Sequence, residues 1–247
     1  MNQITTKFNK KDYEQYKRFK MVLHHEDKNY YHQFTNSSMV LFKKFCLDKT
    51  FYNKNLLRQY HIIFVADATQ KSKNHGLFFD FLKYCEINKI EIKIAYVSNK
   101  HILKNTYSNY FEPKIGSSVK LDYYTGLTPE ELADLFNKSK INLILSSRDC
   151  VPRVIVESLY CGCYNITTNL LSDGKFYYDN ICGEVMEFSN VDVKLIGSGL
   201  LSYTSSNKIF KYLILKINSN YYHKQISEKS MILYNLDNTI NEIIDNL

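Results

Sequence analysis

Two carboxylates have the residue types and positions to bind a hydroxylated ligand. Asp149 lies in a polar loop after an apolar run at 141–145, and Glu157 lies eight positions later within a helical pattern. If the apolar run is a strand of an open α/β sheet, both acids lie where such sheets bind ligands. A carboxylate at Glu157 cannot bind phosphate, but it can accept hydrogen bonds from sugar or ribose hydroxyls. The spacing alone also fits two solvated surface acids.

The residues around Pro152 to Val154 favour an anion close to these acids. Proline suits the first turn of a helix, because the N–H that it lacks would have no partner there. Backbone N–H groups at a helix start, together with the helix dipole, attract negative charge. The stretch therefore predicts an anion site beside the two carboxylates.

Lys73 is the cation that could complete such a site. It lies in the turn 71–74 (KSKN), after a predicted strand and before a predicted helix. A lysine there can neutralise a phosphate or pyrophosphate, and a solvated loop lysine is the plain alternative in a Lys-rich chain. The sequence contains no GxGxxG and no Walker A motif, which argues against a Rossmann dehydrogenase and a P-loop NTPase.

Other chemistry is weakly indicated. His75 and His101 lie near the same edge without an acid partner at a fixed spacing, so we predict a surface or helix-start role for both. No nucleophile elbow is visible.

Strands alternate with helices around these residues. The clearest helix start is Thr128, an N-cap followed by Pro129 and by Glu131 three positions later. The predicted strands are 61–66, 91–97, 119–123, 141–145, 164–168 and 184–188, and the predicted helices are 75–88, 101–110, 128–138, 153–160 and 173–180. This alternation predicts an α/β fold, a Rossmann-like parallel sheet with helices on both faces.

The flanking segments are predicted to be mostly helical. A short strand is expected at 21–23, a capped helix at 37–45, and helices at 208–217 and 232–247, with a largely helical chain beyond 191. We therefore divide the chain into a short N-terminal segment (1–55), a Rossmann-like domain (56–205) and C-terminal helices (206–247).

Composition narrows the class of protein. The 247 residues are 45% hydrophobic and carry a formal charge of +7, which suits a globular protein with an anionic ligand or a membrane surface nearby. No base-stacking or groove-reading motif accompanies the charge, so no nucleic-acid partner is expected, and a nucleic-acid-associated α/β protein is a distant alternative.

Cysteine usage and the absence of targeting signals indicate the compartment. The six cysteines form no CxxC pair, which predicts thiols in a reducing compartment and no metal site. No signal peptide and no run of about 18 apolar residues is visible. We expect a cytoplasmic protein, with a peripheral position at a membrane surface as an alternative.

The stretch 146–162 (SSRDCVPRVIVESLYCG) resembles the signature of retaining GT-B glycosyltransferases of the group 1, family 4 type, which use nucleotide sugars. Asp149 stands for the first Glu of that signature and Pro152 for its Pro. Glu157 stands for its second Glu, and Cys161-Gly162 matches its closing pair.

The resemblance continues on both sides of the signature, over roughly residues 60–190. The matching segments are the turn KSKNHG at 71–76, the helix and strand at 126–147, and the loops at 172–174 and 183–185. This coverage corresponds to the C-terminal, donor-binding domain of the family.

The resemblance also implies roles. Glu157 would hold the ribose hydroxyls, Asp149 would contact the donor sugar, and Lys73 would stabilise the departing diphosphate, with all three counted as catalytic. Charge develops on that leaving group, where a fixed cation and a helix dipole have the largest effect. The implied donor-binding set is Lys73, Asp149, Cys150, Val151, Pro152, Arg153 and Glu157. The substrate would be a nucleotide sugar, with no cofactor and no metal.

Three substitutions depart from the family pattern. Ala68, next to Asp67, occupies the position of the family's arginine, and the acid would oppose a diphosphate. Asp149 is one methylene shorter than Glu. Cys150 replaces a glycine and gives the backbone less freedom to approach the donor. The candidates for a replacement cation are Arg148 and Arg153.

The length is a further departure. A complete GT-B enzyme has two Rossmann domains and binds its acceptor on the N-terminal one, whereas about 55 residues precede the first strand here. We therefore expect the donor-binding half of a glycosyltransferase, acting with a partner chain that supplies the acceptor domain, on an unknown glycan, lipid or protein acceptor. The alternative is a catalytically impaired nucleotide-sugar-binding or interaction module.

Overall fold

The computed structural model describes residues 21–24, 38–41, 49–98, 118–147, 153–171, 181–187, 193–196, 200–203 and 207–245. The strands are β1 (Met21–His24), β2 (Ser38–Leu41), β3 (Tyr60–Val65), β4 (Ile92–Val97), β5 (Val119–Tyr124), β6 (Ser139–Ile144), β7 (Tyr164–Thr168), β8 (Gly183–Met186), β9 (Val193–Ile196) and β10 (Leu200–Tyr203). The helices are α1 (His75–Ile87), α2 (Pro129–Asn137), α3 (Arg153–Tyr160), α4 (Asn207–Ile217), α5 (His223–Leu233) and α6 (Leu236–Ile244), and a 3₁₀ turn spans Lys71–Lys73.

Six parallel strands form the central sheet in the order β5-β4-β3-β6-β7-β8. The chain winds outward from β3 in one direction and, after returning to β6, outward in the other. Ile62 of β3 pairs with Ile94 of β4 on one side and with Ile141 of β6 on the other. This doubly wound order confirms the predicted Rossmann-like fold and places the reversal of strand order between β3 and β6.

Helices cover both faces of the sheet. Phe64 of β3 stacks on Phe78 of α1 with ring centroids 4.4 Å apart, so the face that Phe64 shares with Ile62 packs against α1. Asn142 of β6 lies one residue from Ile141, the partner of Ile62, and therefore points to the opposite face. Its side chain bonds α3. The apolar runs of the sequence are accordingly buried on both sides, as in other parallel sheets.

Local signals in the sequence set the ends of α2. The Thr128 hydroxyl accepts a hydrogen bond from the Glu131 N–H at 3.3 Å, and the Glu131 carboxylate accepts one from the Thr128 N–H at 2.8 Å. This capping box is the one predicted from the sequence.

Arg58 connects three segments near the amino ends of the parallel strands, which we call the amino edge of the sheet. Its guanidinium donates to the carbonyls of Phe136, Ser139 and Cys161 at 2.7, 2.9 and 2.9 Å. It thereby satisfies carbonyl groups at the ends of two helices and the start of β6.

The helix α5, which follows the sheet, packs against α3. The Ser227 hydroxyl of α5 donates to the Tyr160 carbonyl at 2.6 Å, and the Tyr160 hydroxyl donates to the Tyr234 carbonyl at 2.9 Å.

No helix within the described ranges is long and apolar enough to span a membrane.

Three predicted elements are wrong: the helix at 37–45, the helical chain directly beyond 191 and the single helix at 232–247. The helix expected at 37–45 is replaced over Ser38–Leu41 by β2, which pairs in parallel with β1. Its short apolar run fits a strand as well as a helix. The pairing with residues 21–24 makes it a strand. The helical chain expected beyond 191 begins instead with the antiparallel pair β9–β10.

The helix expected at 232–247 is two helices. The first ends at Leu233, and Asn235 caps the second by accepting a hydrogen bond from the Asn238 N–H at 2.7 Å. Asparagine is a strong N-cap, so it starts a new helix instead of continuing the old one. The helices predicted at 101–110 and 173–180 lie outside the described residues.

Candidate functional site

The candidate site lies at the carboxyl ends of β3 and β6. The chain leaves β3 through the turn Lys71–Lys73 into α1, and it leaves β6 through Leu145 to Ser147 towards α3. These strands are neighbours, and the strand order reverses between them. Doubly wound sheets bind their ligands in the crevice outside this reversal point.

Hydrogen bonds tie the two loops together. The Ser147 N–H donates to the Ser72 carbonyl at 2.9 Å, and the Asn74 side-chain amide donates to the Leu145 carbonyl at 2.7 Å. The turn that carries Lys73 and the loop that leads to α3 therefore form one continuous floor, with Ser146 and Ser147 buried in it.

Lys73 is half-buried at the end of its 3₁₀ turn, where its N–H donates to the Gln70 carbonyl at 3.0 Å. Lys71, two residues earlier, is exposed. Arg153 is exposed and is the first residue of α3. The structure thus places two lysines on the turn after β3 and one arginine at the start of α3.

His75 is a buried structural residue. Its Nε2 lies 3.1 Å from the Asp67 carbonyl, which can only accept, so Nε2 carries the proton. Its Nδ1 then accepts from the Tyr96 hydroxyl at 2.6 Å. Burial lowers the pKa of the imidazole, and the Lys73 charge adds to that effect, so the ring is neutral. The helix-start prediction is confirmed for His75 and the surface prediction is wrong, while His101 lies outside the described residues.

Asp67 and Ala68 define the position where the family's arginine is missing. The Asp67 carboxylate is exposed and accepts hydrogen bonds from the Thr69 N–H at 2.9 Å and hydroxyl at 2.8 Å. Ala68 is buried, and its N–H donates to the Ser98 hydroxyl at 3.0 Å. The turn is therefore closed on itself, and neither residue supplies a cation at this position.

A buried polar network holds α3 on the sheet. The Asn142 amide donates to the Ser158 hydroxyl at 2.9 Å and to the Val154 carbonyl at 3.2 Å. The Ser158 hydroxyl donates to Asn165 Oδ1 at 2.8 Å and also lies 2.9 Å from the Ile155 carbonyl, to which the Asn165 amide donates at 3.0 Å. The network fixes the first turn of the helix that carries Glu157.

The structure describes part of the implied site. Lys73 lies on the turn after β3, and Arg153 and half-buried Glu157 lie on α3. Asp149, Cys150, Val151 and Pro152, together with Arg148, lie outside the described residues, so their roles stay predictions.

Sequence reasoning missed other parts of the site. The strand β10 lies against the turn Lys71–Lys73. No sequence pattern predicted this strand or its contact with the turn. The roles of Asn74, Asn142 and Asn165 were also missed, although an asparagine inside each of two buried strands was a visible signal.

Metal and thiol chemistry has little support in the described residues. There, no group of three or more His, Cys, Asp or Glu side chains is arranged to hold a metal ion. Cys85, Cys161, Cys163 and Cys182 are buried free thiols, and burial raises the pKa of Cys163 to about 12. Such thiols are poor nucleophiles at neutral pH.

Solved glycosyltransferases share this fold. TarM matches with a TM-score of 0.64 and 13% identity over 96% of this chain and 45% of its own. Sucrose-phosphate synthase from Thermosynechococcus elongatus matches with a TM-score of 0.64 and 11% identity over 99% of this chain and 63% of its own. The pneumococcal O-GlcNAc transferase GtfA, in complex with UDP and GlcNAc, matches with a TM-score of 0.57 and 14% identity over 91% and 45%.

The chain spans less than half the length of TarM and of GtfA. No protein-family model and no curated protein sequence matches it. The common feature is therefore the fold, a six-stranded parallel sheet with helices, shared with proteins that transfer sugars.

Proposed function

We propose that this chain is the donor-binding half of a GT-B glycosyltransferase, which binds a nucleotide sugar at the ends of β3 and β6. The observation that carries the proposal is the joined floor of the crevice. There the Lys73 turn is bonded to the loop that leads into α3, at the reversal of strand order. A cation on one loop and a helix start on the other suit a diphosphate.

In this proposal Lys73, the start of α3 and Glu157 each have a chemical task. Breaking the bond between the sugar and the diphosphate leaves negative charge on the departing phosphate. The Lys73 ammonium and the N–H groups at the start of α3 stabilise that charge. Glu157, five residues into the helix sequence, accepts hydrogen bonds from the ribose hydroxyls.

The remaining parts of the proposal come from the sequence resemblance. Asp149 contacts the donor sugar, and the anomeric configuration is retained. The reaction needs neither cofactor nor metal. The acceptor is bound by a second domain or by a partner chain, and the protein works in the cytoplasm. The UDP found in the GtfA structure makes UDP-sugars the first donors to test.

A thermal-shift screen against UDP-, GDP- and ADP-sugars tests the donor site. At a ligand concentration of 100 times Kd, binding stabilises the folded chain by about 2.7 kcal/mol, or roughly 5–10 °C for a protein of this size. We expect one class of donor to give such a shift, and Glu157→Ala to abolish it without lowering the Tm of the unliganded protein by more than a few degrees. No shift with any donor would refute the proposal.

A non-catalytic nucleotide-sugar-binding module is the second candidate. The exposed Asp67 carboxylate and the buried Ala68 favour it, since they leave the family's arginine position without a cation. A donor-hydrolysis assay separates the two candidates. Release of free sugar above the rate seen with Lys73→Met indicates an enzyme, while donor binding with no release indicates the module.

A further inference from the structure

Asn74 connects the two loops of the crevice. It is buried, with 2% of its surface exposed, and its backbone is left-handed with φ +54°. Its side-chain amide donates to the Leu145 carbonyl at 2.7 Å and to the Ser72 carbonyl at 3.1 Å. The Ser147 N–H reaches the same Ser72 carbonyl at 2.9 Å. The Asn74 amide and the Ser147 N–H together hold the turn before α1 against the end of β6.

We propose that Asn74 is a positioning residue for Lys73. Lys73 directly precedes it, so the bonds of Asn74 determine where the lysine ammonium stands relative to the loop that leads into α3. Charge stabilisation depends on placement to within a fraction of an ångström, and buried supporting hydrogen bonds provide that placement. The inference rests on the proposed function, because it assigns Lys73 to the distal phosphate of a nucleoside diphosphate.

Discrimination between di- and monophosphates is the appropriate readout. The Lys73 ammonium acts on the second phosphate, so a displaced lysine weakens binding of UDP more than binding of UMP. A general loss of stability weakens both to the same extent. The ratio of the two dissociation constants, Kd for UMP over Kd for UDP, therefore reports on the position of Lys73. If the donor screen favours another base, the corresponding GDP/GMP or ADP/AMP pair is used.

Asn74→Gly is the test variant. Glycine adopts φ +54° without strain and adds no charge, so the substitution removes the Asn74 side chain and its amide without straining the backbone. Asn137→Ala is the matched control. Asn137 is a buried asparagine at the amino edge of the sheet, where its amide donates to the carbonyls of Tyr52 at 2.9 Å and Ala133 at 3.0 Å. It joins two segments as Asn74 does, but far from the crevice.

We expect Asn74→Gly to lower the ratio of Kd for UMP over Kd for UDP about tenfold, the effect of one lost charge-assisted contact. Lys73→Met lowers it to the same extent. The double variant loses nothing further, because Asn74 acts through Lys73. Asn137→Ala leaves the ratio unchanged. An unchanged ratio in Asn74→Gly, or independent losses in the double variant, overturns the inference while leaving the donor site intact.

Hydrogen exchange decides the question if the wild type binds no nucleoside diphosphate. That result refutes the proposed function, whereas the positioning of the turn remains measurable at the Ser147 amide. Faster exchange of this amide in Asn74→Gly, but not in Asn137→Ala, shows that Asn74 holds the loops together. Equal exchange in all three proteins shows that it does not.

Discussion

The buried network beneath α3 allows a sharp prediction about stability. Ser158→Ala removes the hydroxyl that donates to Asn165 Oδ1 and accepts from the Asn142 amide. The Asn165 oxygen then stays buried without a donor, which costs about 1–3 kcal/mol. The Asn142 amide retains the Val154 carbonyl, so its loss is smaller. We therefore expect the free energy of unfolding to fall by about 2 kcal/mol.

Replacing the whole network with apolar residues should restore stability. In Asn142→Val/Ser158→Ala/Asn165→Val no polar side chain remains to be satisfied. Asn142 Oδ1, which has no hydrogen-bond partner among the described residues, is removed as well. Exchanging both partners of a buried hydrogen bond for apolar groups of similar shape is nearly neutral. The triple variant should therefore lie within about 1 kcal/mol of the wild type.

Urea unfolding, followed by circular dichroism, measures both effects. Ser230→Ala is the control, because the Ser230 hydroxyl is buried and donates to the Ile226 carbonyl of its own helix at 2.6 Å. We expect that variant to lose less than Ser158→Ala. The reasoning is wrong if Ser158→Ala loses no more than the control, or if the triple variant is less stable than the single one.

Three further outcomes follow from the amino edge of the sheet. Gly162→Ala should lose about 2–4 kcal/mol of unfolding free energy, since φ is +79° and a Cβ would lie 2.5 Å from the His223 carbonyl oxygen; a loss below 1 kcal/mol in urea unfolding contradicts this. Arg58→Met should lose about 3 kcal/mol, because three carbonyls lose a charged donor; equal urea midpoints would argue against it. Burial lowers the pKa of His223 to about 4, below its unfolded value of 6.5, so the unfolded chain binds the proton first. Unfolding free energy should therefore fall as pH drops from about 6.5 towards 4, and His223→Gln should flatten that part of the profile.

Regular local signals made much of the fold predictable. The sequence pattern located the six strands of the sheet to within two residues at either end, because the central strands are buried and consist mainly of apolar residues. The Thr128 capping box identified the start of α2 by side-chain chemistry that acts within one turn.

Long-range contacts explain what the sequence did not predict. Strand β2 depends on pairing with β1, more than ten residues away in the chain. The Asn74 side chain donates a hydrogen bond to the Leu145 carbonyl, 71 positions away in the chain. Periodicity over a short window contains no information about such partners.

The candidate site was predictable only in part, for the same reason. The resemblance pointed to Lys73 and Glu157, which lie on the turn after β3 and on α3. The polar residues that hold those elements, among them Asn142 and Asn165, share no local pattern with a ligand site. Their functions became visible only when the sheet brought them together with α3.

The location of a bound nucleotide is the most direct test of the donor site. Backbone amide spectra of the ¹⁵N-labelled protein, titrated with the nucleoside diphosphate that the screen selects, report on every described residue at once. We expect the largest shifts at Ser72, Lys73, Ser147 and Glu157, with the amides of Arg58 and Asn137 at the amino edge unchanged. Shifts concentrated at the amino edge, or a saturating nucleotide that moves none of the crevice signals, would contradict a donor site at the ends of β3 and β6.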